Sequence, residues 1–303
     1  MTPTGRTARR LLVCVALVTP LAVLPVSTAS GAPNPTSYVA LGDSYAAGPL
    51  IPTQETTPAG CLRSDHNYAS LVAAALQVAS FQDATCSGAT TDAMTSPQNV
   101  TPGPNPPQFD RLTPTTQLVT LEVGGNDIGL TDIVASCFSA TPSGTPCQDR
   151  WVVGGDDEIS DRIVATAPKV TTVIQGIHAR SPSAVIDVVD YLAILPETGD
   201  GCYPQVPITP GDVPYLRAKE HQLNAMLAQE AAANGASFVD DYTLSIGHDA
   251  CEVPCVRWVE PLVPSAPAAP LHPNADGMEG AAAAILGAAP PPSVCPLTPA
   301  FTG

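Results

Sequence analysis

Four short stretches carry residue types suited to acyl transfer: "LGDSYAAG" with Ser44, "CSGATT" with Gly88, "GGND" with Asn126 and "HPNADG" with His272. A serine hydroxyl that attacks an ester carbonyl needs a base to take its proton and donors to hold the oxyanion that forms. Ser44 would supply the oxygen and His272 the base. The oxyanion donors would be the backbone N–H groups of Ser44 and Gly88 and the side-chain amide of Asn126. Gly88 suits this because a residue without Cβ lets its N–H approach a ligand closely, and Asn126 because its amide offers two donors and no charge. Each motif alone also has an ordinary reading, since Ser or Asn at a strand-to-helix turn is usually an N-cap and Gly is usually turn chemistry. Their conjunction, in this order, is what points to catalysis.

The elements that would position these residues follow from hydrophobic periodicity. Short apolar strands are expected over residues 37–41, 117–125, 184–192 and 236–241, with 78–86 as one more. Helices are expected over 67–77, from Asn126 to residue 138, and over 158–179, 214–233 and 275–286. Strands alternating with helices imply an α/β fold, a parallel doubly wound sheet with helices on both faces. Ligands bind such sheets at the carboxyl ends of the strands. "GDS" ends the first strand, "CSGATT" follows the candidate second, "GGND" ends the next, and "HPNADG" opens the last helix. The 34 prolines concentrate in segments such as 96–114 and 140–149, which read as surface loops pinned by disulfides.

Composition limits the class of partner. With 28 acidic and 12 basic residues and a net charge of −16, nucleic acid is excluded as a partner. The acidity suits solubility outside the cell, and neutral or cationic substrates more weakly. Arg6, Arg9 and Arg10 precede the apolar run "LLVCVALVTPLAVLPV" and the small-residue stretch "STASGA", the pattern of a secretory signal over residues 1–29. A twin-arginine signal at Arg9-Arg10 and an uncleaved anchor are the alternatives, and Pro20 and Pro25 weigh against a spanning helix. Residues 30–303 then form one domain of a secreted, extracellular protein.

Of nine cysteines, Cys14 lies in the signal segment. The others (Cys61, Cys86, Cys137, Cys147, Cys202, Cys251, Cys255 and Cys295) form an even set, read as four disulfides of an exported chain. Zinc is the competing reading, but "CEVPC" is a lone pair without a second pair or flanking histidines. No metal and no cofactor is expected.

At the four blocks the sequence resembles the SGNH hydrolases, also called GDSL esterases and lipases, and within them the secreted actinobacterial lipases and esterases. The resemblance runs from Tyr38 to Leu286. It implies a flavodoxin-like three-layer α/β/α sandwich with a parallel sheet of about five strands. It also implies a secreted serine ester hydrolase acting on small-molecule or lipid acyl esters, a monomer in transient contact with lipid surfaces. No G-x-S-x-G elbow surrounds Ser44, which disfavours the ordinary α/β-hydrolase. The same resemblance implies bridges Cys61–Cys86, Cys137–Cys147 and Cys202–Cys251. Cys255 and Cys295 remain, and a bridge between them would tie the C-terminal tail to the body.

One position departs from the wider family, whose last block is commonly D-x-x-H. The residue three before His272 is Ala269, which has no side-chain acceptor. Some secreted actinobacterial members likewise lack the acid, so the resemblance implies a Ser-His dyad with the Ala269 backbone carbonyl orienting His272. Glu260 or another carboxylate is the alternative. His66, His178, His221 and His248 read as surface residues, Asp43 as a brace of the nucleophile turn, Asp127 as a helix-start residue and Trp258 as lining the approach. A polysaccharide deacetylase, a phospholipase and a non-catalytic secreted binding protein are the other functions the scaffold admits.

Overall fold

Alternate residues of strand β1 (Ser37–Gly42) face opposite sides of a sheet. Val39 and Leu41 join one apolar cluster, Tyr38 and Ala40 the other. A chain built this way must be covered on both faces, and the computed structural model shows how. It describes residues 1–2, 34–290, 292 and 295. The segment expected as a signal peptide therefore lies, from residue 3 onward, outside the described residues.

After β1 come α1 (Ser44–Ala47), α2 (Tyr68–Leu76), β2 (Ser80–Asp83), β3 (Leu118–Glu122), α3 (Leu130–Ser136) and α4 (Pro146–Trp151). A small antiparallel ribbon, β4 (Val152–Val153) and β5 (Asp156–Asp157), leads into the long helix α5 (Glu158–Arg180). Then follow β6 (Val185–Val189), α6 (Val213–Ala233), β7 (Ser237–Val239), α7 (Asp241–Ser245) and α8 (Ala275–Ile285). The main sheet has five strands, all parallel, in the order β2-β1-β3-β6-β7. Helices α2 and α8 bury Tyr68, Val72, Met278 and Ala281 on one face, and α5 and α6 bury Ile163, Ile174, Leu223 and Leu227 on the other. This is the α/β sandwich with five parallel strands that the alternation of elements implies. From β1 the chain moves outward to β2, then returns to place β3 on β1's other side. The crevice between the carboxyl ends of β1 and β3 is therefore the switch point where such sheets bind ligands.

Differences in boundary have local causes. The helix expected from Asn126 begins only at Leu130, because its N-cap Gly129 adopts φ 77° and residues 125–129 form turns instead. The helices α1, α4 and α7 and the β4–β5 ribbon are too short to leave a periodic signal.

Four disulfides are present: Cys61–Cys86, Cys137–Cys147, Cys202–Cys251 and Cys255–Cys295. Mass analysis of a denatured, alkylated chain lacking residues 1–29 is expected to find none of the eight thiols modified before reduction and all of them after. Reduction should also lower the melting temperature sharply, since one native bridge typically contributes about 2–4 kcal/mol. Free thiols in the unreduced protein would refute the pairing.

Candidate active site

Strand β1 delivers Ser44 through a tight turn. At Gly42 a Cβ would sit 2.7 Å from the Glu122 carbonyl oxygen and 2.8 Å from Ala46 Cβ, so only glycine lets β1, β3 and α1 meet this closely. Asp43, not Ser44, caps α1: its Oδ1 accepts the Tyr45 N–H at 3.0 Å. Ser44 is thus the first helical residue, with its side chain at the strand's carboxyl edge and its N–H without an intrahelical acceptor. The capping alternative for Ser44 falls to its neighbour.

His272 is held by a loop pinned to Glu260. The Glu260 N–H donates to the His272 carbonyl and the Leu271 N–H to the Glu260 carbonyl, each at 3.0 Å. The His272 N–H in turn donates to the Ala269 carbonyl at 3.2 Å, closing a four-residue turn. Pro270 stands second in this turn and Leu271 third, at φ 58°, the residue pattern of a type II turn. Imidazole Nδ1 lies 2.8 Å from the Pro270 carbonyl oxygen and Nε2 lies 2.8 Å from Ser44 Oγ. A carbonyl can only accept, so Nδ1 carries the proton and Nε2 presents its lone pair to the serine hydroxyl.

The orienting carbonyl is therefore that of Pro270, which corrects the expectation for Ala269. The Ala269 oxygen is spent on closing the turn, and the turn directs the next carbonyl to the ring. Glu260 does not orient the ring either. Its fully buried carboxylate accepts from the Ser265 N–H at 2.7 Å and from Asn274 Nδ2 at 2.9 Å. Burial works to raise the Glu260 pKa, but these bonds, the Ala266 N–H and nearby Arg257 outweigh it and hold the group below its usual value. Among the described residues no carboxylate hydrogen-bonds to His272.

Burial lowers the His272 pKa below 6.5, and the Pro270 carbonyl opposes this only in part. The neutral base thus survives to lower pH than free imidazole would. The profile of kcat/KM is expected to stay flat down to a midpoint below 6.5 and to fall as pH drops through it. A carboxylate partner would instead push the midpoint up. An acidic limb centred above 7 in an ester-hydrolysis profile would contradict the carbonyl arrangement.

Asn126 follows β3 in the turn before α3 and faces the same crevice. Its Nδ2 donates to the Ala89 carbonyl at 3.0 Å, which leaves one amide hydrogen for a ligand. Gly88, one residue earlier, has φ 77°, and its N–H has no protein acceptor among the described residues. Asn126 therefore ties down the loop that carries Gly88. Ser44, Asn126 and His272 line one cavity, and Gly88 is not among its lining residues.

Two tyrosines outside the four key residues lock these parts together. The Tyr191 hydroxyl donates to Asp43 Oδ2 at 2.7 Å and accepts the Gly125 N–H at 2.8 Å, joining the Ser44 turn to the Asn126 turn. The Tyr45 hydroxyl donates to the Leu271 carbonyl at 2.7 Å, joining the same turn to the histidine loop. Burial pushes the Asp43 carboxyl up to about 7, against the pull of its bonds from Tyr191 and Tyr45. Periodicity could not flag Tyr191, a buried aromatic just past β6, and Tyr45 was visible only as the neighbour of Ser44.

The remaining candidates serve structure. Asp127 accepts the Thr91 hydroxyl at 2.6 Å and N–H at 2.9 Å. Trp258 does not line the approach: it is buried under α8 against Gly280 and stacks on His248. His66 and His221 are exposed beside Asp65 and Glu197. His178 and His248 are half-buried, bonded to the carbonyls of Asn234 and Val256. Among the described residues no cluster of His, Cys, Asp or Glu is placed to hold a metal ion, and no helix is long and apolar enough to cross a membrane.

The cavity has a volume of about 220 Å³. Its polar end holds Ser44, Asn126 and His272, and the rest is largely hydrocarbon from Leu130, Val134, Phe138, Ile194, Leu262 and Leu271. Such a site places a polar reacting group beside an apolar substituent.

Comparison with known proteins agrees with this chemistry. The family model described as GDSL-like Lipase/Acylhydrolase matches residues 40–279. Lipase 2 of Streptomyces coelicolor is 40% identical over 280 residues, 89% of this chain and 92% of that protein. A lipase of Streptomyces rimosus is 30% identical over 293 residues, 94% of this chain and 99% of that protein. Among solved structures, phospholipase A1 from Streptomyces albidoflavus NA297 is similar with a TM-score of 0.70 at 26% identity, covering 83% of this chain and 98% of that one. An extracellular lipase from Streptomyces rimosus is similar with a TM-score of 0.70 at 26% identity, covering 84% and 99%.

Proposed function

The chain belongs to the GDSL-like lipase/acylhydrolase family, and on that footing we propose that it is a secreted carboxylic ester hydrolase that cleaves acyl esters through an acyl-enzyme on Ser44. The observation that carries this is the line from Pro270 carbonyl through imidazole to Ser44 Oγ, 2.8 Å at each step.

In acylation, Nε2 takes the Ser44 proton as Oγ bonds to the ester carbon. The carbonyl electron pair moves onto oxygen, where the N–H groups of Ser44 and Gly88 and the free amide hydrogen of Asn126 hold it. Collapse of this intermediate breaks the bond to the leaving alkoxide, which departs with the proton from His272. Water then adds to the acyl-enzyme with His272 again as base, and the acid is released. The Pro270 carbonyl fixes the imidazole tautomer throughout, so the machinery is a Ser-His dyad.

Secretion is supported by the four disulfides, which persist in oxidising compartments, and by the likeness to an extracellular lipase. The working form is a single domain after loss of the leader, the described residues from Asn34 onward forming one compact unit, and it acts as a monomer. Phe138, an exposed residue of the cavity lining, supports transient contact with lipid surfaces. The apolar lining favours acyl chains over acetylated polysaccharide, and the likeness to a phospholipase A1 supports phospholipid as a second substrate class. A panel of p-nitrophenyl esters from acetate to palmitate, with phosphatidylcholine and acetylated xylan, sorts these readings. Turnover of medium or long acyl esters is expected. Activity confined to acetylated xylan would refute the lipid reading.

A further inference from the structure

A second chamber of about 50 Å³ lies behind the wall of the active-site cavity. The two share Leu130, Val134, Tyr191, Ile194 and Leu271 as a common partition. Leu130 and Val134 are one turn apart on α3, so they present one face to both spaces. Beyond the partition the chamber runs between α3, α5 and α6, where Ile159, Ile208 and Leu216 line it. Neither Lys219 nor Glu220 in its lining makes it polar. The Lys219 ammonium is ion-paired with Asp157. Glu220 Oε1 accepts the Ile194 N–H at 3.0 Å, and burial pushes the Glu220 carboxyl up to about 8, so it is mostly uncharged at neutral pH.

An apolar chamber of this kind holds water poorly and takes apolar guests readily. We propose that it receives the distal methylenes of the substrate's acyl chain, with Leu130, Ile194 and Leu271 forming the partition that the chain passes. This rests on the reading of Ser44 as an acyl-ester nucleophile and adds where the acyl chain goes and what sets its length. Acyl groups short enough to stay in the outer cavity do not meet the chamber. Longer ones gain on the order of fourfold in affinity for each methylene buried there.

Filling the chamber from its far side separates the two classes. In Ile208→Phe, kcat/KM for acetate and butyrate esters is expected to stay within about twofold, while that for dodecanoate and palmitate esters falls at least about tenfold, two to three methylenes' worth. Ile159→Ala, which enlarges the same space, should shift preference to longer chains and serves if the bulky variant fails to fold. Laurate binding by calorimetry provides a readout free of turnover. In Ser44→Ala it should match the wild type, and adding Ile208→Phe should weaken it about tenfold. Equal losses at every chain length in a folded variant, an unmoved length profile in both variants, or laurate binding indifferent to Ile208→Phe would overturn the chamber's role. Chamber-dependent laurate binding in a protein that hydrolyses no ester would instead overturn the hydrolase reading and leave the chamber standing.

Discussion

Ser44→Ala is expected to lose about 10⁶ in kcat on its preferred ester, the scale seen when a nucleophile acting in concert with its base is removed. The size follows from the geometry. Oγ and Nε2 stand 2.8 Å apart and act on one proton, so neither is useful without the other. His272→Ala should cost about as much, and the double variant little more than either single change. Stability should barely move, because the cap of α1 is Asp43 and Ser44 contributes no capping bond. The expected pattern in purified variants is thus a near-total loss of turnover at an unchanged melting temperature. Residual activity in Ser44→Ala within tenfold of wild type would remove the serine from the reaction.

Asn126→Ala is expected to lower kcat by about 10²–10³ while KM changes little, the cost of one oxyanion donor. The split matters because the oxyanion exists only in the transition state, so a lost donor should not weaken ground-state binding. Asn126 also holds the Ala89 carbonyl at 3.0 Å and so steadies the Gly88 loop. Asn126→Asp keeps the shape, offers only acceptors and brings a charge opposed to the oxyanion, so it should lose at least as much as the alanine variant. Steady-state kinetics on a soluble short-chain ester reads both. An unchanged kcat in Asn126→Ala would take the residue out of the oxyanion site.

Much of this arrangement was legible in the chain. Strand-length apolar runs separated by helical periods lead to a parallel sheet, and a parallel sheet gathers the ends of its strands at one edge. Ser44 and Asn126 sit where two such runs stop, so their convergence follows from topology before any side chain is placed. The partner of Nδ1 was not legible. Which carbonyl meets the ring depends on one backbone reversal, and Leu271 at φ 58° is not a residue type that signals positive φ. Tyr191 was hidden for a different reason. An apolar position at the end of a buried strand is indistinguishable by periodicity from a packing residue, and its hydroxyl acquires meaning only when Asp43 and Gly125 arrive on either side. Glu260 shows the converse: a carboxylate near the histidine in sequence turns out to be consumed by Ser265 and Asn274 in holding the loop. The chamber behind Leu130 and Ile194 belongs to the same class, since a void is a property of packing between elements and leaves no mark on any one of them.

Ser44, activated by a histidine that no carboxylate orients, is the proposed nucleophile. Incubating the wild-type protein with a fluorophosphonate ester and mapping the adduct by peptide mass spectrometry tests it most directly. A single stoichiometric adduct is expected on the peptide containing "LGDSYAAG", at Ser44. The adduct should be absent in Ser44→Ala, strongly slowed in His272→Ala, and formed at an undiminished rate above pH 7, where the imidazole is neutral. An adduct on another serine, or ester turnover by a protein whose Ser44 stays unmodified, would contradict it.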